Sequence, residues 1–452
     1  MSTRDVIETA AECSARYLEN IQERSVASTE ADIAAAVEAL GGPMPDDPSD
    51  PVAVIELLDR YGSAATTATA GPRFFGFVIG GSLPAAVGAN QLLAAWDQNA
   101  GLEAASPVGS MLERITGAWL LDVLKLPDDC AVGFVTGATI ANFTALAAAR
   151  HAVLKRAGWD VENDGLFGAP QIDVVVGEEV HVSVLKSLNL LGLGRRRVLT
   201  VPTDNNGRMR ADKLPPLSAT TLVCIQSGNV NTGAFDPAVE ICAAAKESGA
   251  WVHVDGAFGL WVRATPELEH LAAGLGDADS WATDAHKWLN VSYDSGLAFI
   301  RDPESLRAAM SATAAYLTEG RNRDPSQFVP ELSRRARGVE IWAAMKSLGR
   351  SGLAELIERT CRHARRFAEG LADTGYEILN TVELNQVLVS FGDDETTKRV
   401  IDGIQKDGTC WCSGTHWKGR EAMRVSISSW ATTDDDVEAS LGAMIRVAGE
   451  IR

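Results

Sequence analysis

Along the first 60 residues the apolar positions recur at helical spacing. Residues 6–21 and 33–40 each place them along one face, and Pro43, Pro45, Pro48 and Pro51 break the chain between helical stretches. A further helix is predicted over 84–96, just after Gly80-Gly81-Ser82. From about 131 to 300 the rhythm changes. Short apolar runs at 132–135, 173–176, 222–225, 251–254, 280–283 and 297–300 are bounded by turn residues, with helical stretches such as 141–150 and 237–248 between them. That alternation predicts βα units and a largely parallel sheet in an α/β fold. Residues 305–332 are irregular. Helices follow over 338–345 and 353–371, then a smaller α+β segment with strands at 376–379, 385–391 and 423–428 and a helix near 396–406. The pattern divides the chain into an N-terminal helical arm (1–65), a large α/β domain (66–335) and a small α+β C-terminal domain (336–452).

At 452 residues the chain is too long for one small core. Its net charge of −19 argues against a nucleic-acid or anionic-membrane partner, because both need a basic field. The two basic clusters, Arg195-Arg196-Arg197 and Arg362-His363-Ala364-Arg365-Arg366, read as solvated faces. Seven scattered cysteines without a CxxC pair fit buried reduced thiols, and Cys410-Trp411-Cys412 with His416 matches no zinc spacing, so no metal is expected. With no basic, apolar leader and no bilayer-length apolar run, a cytoplasmic protein is expected.

Candidate chemistry concentrates where two apolar runs end. Trp251-Val252-His253-Val254-Asp255 ends in a carboxylate, and a later run is followed by His286-Lys287-Trp288. Ligands of parallel sheets bind beyond the carboxyl ends of the strands, so both ends point to one edge. A lysine there can bond covalently to an aldehyde cofactor, and a carboxylate can keep a pyridine nitrogen protonated. Thr136-Gly137-Ala138-Thr139 precedes a helix, and small residues at a helix N-terminus suit a phosphate. An ordinary cap by Thr139 fits the same residues. His181, at another strand-to-helix junction, suits stacking on a planar ring, though a lone histidine there also fits a structural role.

The order phosphate turn, histidine, aspartate, lysine resembles pyridoxal-phosphate enzymes of the aspartate-aminotransferase superfamily. More narrowly it resembles the group II amino-acid decarboxylases. His253-Val254-Asp255, His286-Lys287-Trp288 and Tyr293-Asp294-Ser295-Gly296 carry the specific part, and the likeness runs from about residue 70 to near the end. It implies the fold type I architecture with a seven-stranded sheet and a homodimer sharing its active sites. It also implies a catalytic set of Lys287, His181 and Asp255: Lys287 holds pyridoxal 5′-phosphate, Asp255 pairs the ring nitrogen and His181 stacks on the ring. Ala257 packs beneath the ring, and Ala138 and Thr139 bind phosphate beside His286. Phe77, Gly80, Asn99 and Arg424 fall where relatives line the substrate pocket.

The implied reaction is decarboxylation of an L-amino acid to the amine. Phe74, Phe75 and Phe77 favour an aromatic or apolar side chain. Three departures stand out. Gly256 replaces the commoner alanine, and Val230 stands where relatives often place threonine. Where aromatic decarboxylases carry a proton-donating tyrosine, the chain reads Arg323-Asp324-Pro325-Ser326-Gln327-Phe328, and the nearby Tyr316 lies earlier. That leaves aldehyde synthase, transaminase or carbon–carbon lyase as alternatives. A nucleotide-binding α/β protein is a further alternative, but no GxGxxG or GxxxxGK[ST] stretch supports it.

Overall fold

A computed structural model of the chain describes residues 2–312 and 323–451. They form two compact units. The first comprises Met1–Gly81, Arg365–Leu379 and Val387–Arg452, and the second Ser82–Ala364 with Asn380–Gln386.

The second unit holds a seven-stranded sheet built from β1 (Ala131–Val135), β2 (Asp173–Gly177), β3 (Val198–Val201), β4 (Thr221–Gln226), β5 (Trp251–Asp255), β6 (Ser280–Asp284) and β7 (Gly296–Ile300). The spatial order is β1-β7-β6-β5-β4-β2-β3. The pairs β2–β3, β2–β4, β4–β5 and β5–β6 are parallel. β7 runs antiparallel to both β1 and β6. The sheet is therefore mostly parallel, as the βα rhythm predicts. β7 departs from it because only the turn 285–295 joins it to β6, too short for a crossover helix. β3 has no counterpart in the sequence reading: it is an edge strand with exposed residues and no continuous apolar run.

Helix Ala138–Arg156 is buried on almost every side. Ala141, Ala145, Ala147, Ala148 and Ala149 let it lie close to the sheet, and Leu146, Val153 and Leu154 fill the remaining space. Such an all-round apolar surface belongs to a helix in the core. Its starting point is set by a close backbone approach. A Cβ on Gly296, the first residue of β7, would lie 2.4 Å from the Cα of Gly137. Only glycine at 296 lets the turn before this helix rest on the sheet.

The first unit carries helices Thr3–Glu19, Glu30–Leu40 and Pro51–Leu58. It also carries a four-stranded sheet ordered β10-β11-β9-β8, from β8 (Glu377–Ile378), β9 (Gln386–Ser390), β10 (Ser413–Trp417) and β11 (Arg420–Ser426). The two helices expected between 338 and 371 lie within Gly338–Asp373 and are separated by a kink at Gly349, where φ is 62°. Among the described residues no helix is long and apolar enough to cross a membrane.

Replacing Gly296 with alanine should destabilise the protein by about 1–3 kcal/mol through overpacking. An unchanged urea midpoint at unchanged m-value would show that the approach to Gly137 does not constrain the fold.

Candidate active site

The carboxyl ends of β1, β2, β5 and β6 are followed by the residues that line one cavity of about 300 Å³. Its walls are Thr136 to Ile140, His181, Ser183, Ala257, Asp284, His286 and Lys287. Six of the sequence-predicted residues therefore converge: Ala138, Thr139, His181, Ala257, His286 and Lys287.

Asp284 ends β6 and is buried. Its Oδ2 lies 2.8 Å from Lys287 Nζ. Its Oδ1 accepts the Ala138 N–H at 2.6 Å and lies 3.3 Å from His286 Nε2. A half-buried ammonium is thereby paired instead of left alone. His286 Nδ1 accepts the Ser295 N–H at 3.1 Å, which leaves the ring proton on Nε2, facing Asp284. Burial lowers the His286 pKa, against the opposing pull of Asp284. Tyr293 stacks on the same ring at 4.2 Å.

Helix Ala138–Arg156 begins at this cavity with Gly137 as its N-cap and no side-chain cap. Thr139 lies inside the first turn, which overturns the expectation of it as an ordinary cap. The Ala138 N–H is taken by Asp284, and first-turn amides such as those of Thr139 and Ile140 have no intrahelical acceptor. His181 is the N-cap of helix Val182–Leu190; its Nδ1 accepts the Ser183 N–H at 3.3 Å and lies 2.8 Å from Ser183 Oγ.

Asp255 ends β5, next to the cavity wall at Ala257, whose N–H donates to Asp255 Oδ1 at 3.2 Å. Asp255 Oδ2 accepts from Asn142 Nδ2 at 3.2 Å. Behind Asn142 stands His253, fully buried, with Nε2 2.8 Å from Asn142 Oδ1 and Nδ1 2.9 Å from Ser280 Oγ. Burial pushes the His253 pKa down to about 3.

The proposed substrate-side residues do not line this cavity. Asn99 lines a separate one with Ser333 and Arg335, where its Oδ1 accepts the Gly101 and Arg334 amides. Phe77, Gly80 and Arg424 belong to the first unit. Of the three phenylalanines expected to shape a pocket, Phe74 is buried in a stack on Trp411 and Phe75 packs edge-on against Phe367. Only Phe77 is exposed, tilted against Trp411. Burial lowers the Arg424 pKa to about 10, which still leaves it a cation at neutral pH. Tyr316 lies outside the described residues.

A conserved domain described as the pyridoxal-dependent decarboxylase domain matches residues 44–392. The chain belongs to the pyridoxal-dependent decarboxylase family. Tryptophan decarboxylase 1 of Oryza sativa subsp. japonica is 26% identical over 401 residues, 80% of this chain and 77% of its own. Aromatic-L-amino-acid decarboxylase of Bacillus atrophaeus is 25% identical over 423 residues, 87% of this chain and 84% of its own. The crystal structure of Oryza sativa TDC with PLP and tryptamine superposes with a TM-score of 0.91 at 21% identity, covering 99% of this chain and 97% of that one. The fold is that of the type I pyridoxal-phosphate enzymes. The protein is a carboxy-lyase acting on an amino acid, with pyridoxal 5′-phosphate as its cofactor.

The cavity fits that cofactor on its own geometry. It offers a lysine amine, an uncapped helix start for an anion, and a floor at Gly137, where a Cβ would come within 3.0 Å of His286. Sequence reasoning gave no role to Asp284 and Ser183, which line this cavity, or to Asn142 and His253 behind Asp255. Asp284 had a signal in its i, i+3 spacing to Lys287; Asn142, inside a helix of small apolar residues, offered only its polarity.

His253 is neutral in the folded state down to about pH 3, whereas an unfolded histidine gains its proton near 6.5. Between those values the unfolded chain binds more protons, so this group's contribution makes stability fall as pH drops below 6.5. The expected slope is about 1 kcal/mol per pH unit. Replacing His253 with glutamine should flatten that stretch of the stability curve, measured by urea denaturation; parallel curves for the two proteins would rule it out.

Proposed function

We propose that this enzyme converts an aromatic or apolar L-amino acid to its amine and carbon dioxide, as a cytoplasmic homodimer. The observation that carries the reading is the single cavity lined by Lys287, His181, Ala257 and the uncapped start of helix Ala138–Arg156. Lys287 would hold the cofactor aldehyde. Asp255 would keep the ring nitrogen protonated, with Ala257 beneath the ring and His181 stacked over it. The first turn at Ala138 and Thr139 would take the phosphate, with His286 beside it. Bound there, pyridoxal phosphate supplies an aldehyde to capture the substrate amine and a protonated ring to draw off the electrons of the breaking bond. Asp284 would keep the Lys287 nitrogen aimed across the cavity and balance its charge whenever it carries a proton.

Phe77, Gly80, Asn99 and Arg424 are the proposed substrate-side residues, supported by their match to family motifs. Arg424 would meet the substrate carboxylate as a cation. An aromatic or apolar substrate is supported by relatives named tryptophan decarboxylase and aromatic-L-amino-acid decarboxylase, and by the exposed Phe77 against Trp411. A second reading, aldehyde synthase, is favoured by one feature. Residues 323–328 carry Phe328, packed under Arg323, and no tyrosine; a 4-hydroxyphenylacetaldehyde synthase of Rhodiola rosea is 27% identical over 360 residues. That route consumes dioxygen and water and yields aldehyde, carbon dioxide, ammonia and peroxide.

A dimer is supported by apolar rows left exposed on the first unit. Ile33, Val37 and Leu40 form one row on Glu30–Leu40, and Val54, Leu57 and Leu58 another on Pro51–Leu58. Contiguous exposed apolar rows of this kind mark contact surfaces. A reducing compartment suits the buried thiols Cys130, Cys224 and Cys242, each pushed up to about 12 by burial.

A panel of L-amino acids, assayed together for carbon dioxide, amine, aldehyde and keto acid, tests the reaction. Carbon dioxide and amine in equal amounts from an aromatic or apolar substrate are expected. Peroxide with aldehyde would establish the second reading, and no release of carbon dioxide would defeat both. Replacing Lys287 with alanine should abolish turnover and the visible absorbance of lysine-bound cofactor. For the dimer, Val37→Glu with Leu57→Glu should lower the sedimentation mass to that of one chain; an unchanged mass would exclude these rows from the interface.

A further inference from the structure

We propose that a buried relay, Trp251–Ser280–His253–Asn142, positions Asp255 and His181 together, with Asn142 as its hub. The proposal rests on the reading of Asp255 as the partner of the ring nitrogen.

Each donor in the relay has only one possible direction. The Asp255 carboxylate only accepts, so Asn142 turns its Nδ2 toward it, at 3.2 Å. The Asn142 Oδ1 then faces His253, and an amide oxygen only accepts, so the His253 proton lies on Nε2, at 2.8 Å. The ring is buried and neutral, so its Nδ1 accepts from the Ser280 hydroxyl at 2.9 Å. The Ser280 oxygen in turn accepts from Trp251 Nε1 at 2.9 Å. On the other side, Asn142 Nδ2 also donates to Ser183 Oγ at 3.3 Å, and that hydroxyl donates to His181 Nδ1 at 2.8 Å. One amide thus orients both groups that would flank the ring, one at its nitrogen and one on its face.

All the relay members are buried. Asn142, His253 and Ser280 are fully enclosed, and Trp251 and Asp255 nearly so. No solvent is at hand to substitute for a lost partner, so a reversed Asn142 amide would set an oxygen against a carboxylate and an NH₂ against an N–H. The Asp255 carboxylate, which only accepts, prevents this, and His253 completes the arrangement by donating from Nε2. His253 and Asp255 lie two apart on β5 and share one face of the sheet. Their shared face is what brings both within reach of the same asparagine on Ala138–Arg156. His253 and Asn142 are positioning residues: neither lines the cavity.

The test uses the full-length protein, titrated with pyridoxal phosphate, and compares wild type with Asp255→Asn, Asn142→Asp, His253→Leu and His253→Gln. Two readouts are taken: the cofactor dissociation constant, and the pH at which the visible band of bound cofactor titrates. Asn142→Asp keeps the size of the side chain but sets a carboxylate against Asp255. It should weaken cofactor binding at least tenfold, about 1.4 kcal/mol, and move the band's titration. His253→Leu should do the same, and His253→Gln, whose amide can still donate to Asn142, should recover most of the loss in both readouts. A general loss of packing would give no such recovery. If Asp255→Asn binds the cofactor as wild type does, the reading of Asp255 falls, and the relay falls with it. If Asp255→Asn weakens binding but Asn142→Asp leaves both readouts unchanged, the relay alone is overturned. If His253→Gln is as impaired as His253→Leu, His253 is not a positioning donor.

Discussion

The structure of the site depends on one carboxylate. Asp284 ends β6 and meets the Lys287 ammonium, the His286 ring and the Ala138 amide. A half-buried lysine is costly unless its charge is met. Asp284 removes that cost and also ties two distant segments together. Its Oδ2 holds the turn after β6, and its Oδ1 holds the start of helix Ala138–Arg156, 146 residues earlier in the chain. The lysine and the uncapped helix start therefore share one wall. The close approach of Gly296 to Gly137 reinforces the same junction through backbone contact, where Asp284 uses charge.

Much of the fold was legible because burial leaves a mark on composition. Six of the seven strands of the large sheet are short apolar runs ending in turn residues, and all six were readable as such. β3 was not, because its exposed residues break the apolar run. The antiparallel sense of β7 was equally hidden, since strand direction depends on the length and path of a connection, not on the residues of the strand. Of the residues expected from sequence, Lys287, His181 and the small residues at 136–139 line the cavity, and Asp255 ends the strand beside it. Their supports were not readable. Asn142 lies 113 residues from Asp255, and His253 lies 27 from Ser280. The first bond exists only once the helix lies on the sheet and the second only once β5 and β6 pair, and no local spacing encodes either.

The aromatic stretch near residue 75 shows the converse. Phe74, Phe75 and Phe77 read alike in the sequence, yet two are core and one is exposed. Alternation along an extended segment does not account for it, since Phe74 and Phe75 are adjacent and both buried. What separates them is tertiary: Trp411 covers Phe74, and Phe367 covers Phe75. Phe77 sits at φ 54°, a left-handed backbone that turns the chain and directs its ring differently. An argument about substrate class drawn from three aromatic residues therefore narrows to one.

A lysine, an aspartate and a histidine around a cavity specify a cofactor much more tightly than a reaction. The cofactor weakens every bond at the substrate carbon, and the protein chooses among them by orientation. The relay behind Asp255 bears on this choice indirectly. By fixing the carboxylate and the His181 ring through one amide, it would fix the plane against which any substrate bond is measured. The orientation of the substrate within that plane is a separate matter, which the cofactor-side residues do not decide. In this chain Lys287, Asp284, His286 and the start of helix Ala138–Arg156 lie within one unit, and the departures expected from the family pattern are Gly256, Val230 and residues 323–328. With the polar interior behind Asp255 holding the cofactor as proposed, the choice of reaction would fall to those departures.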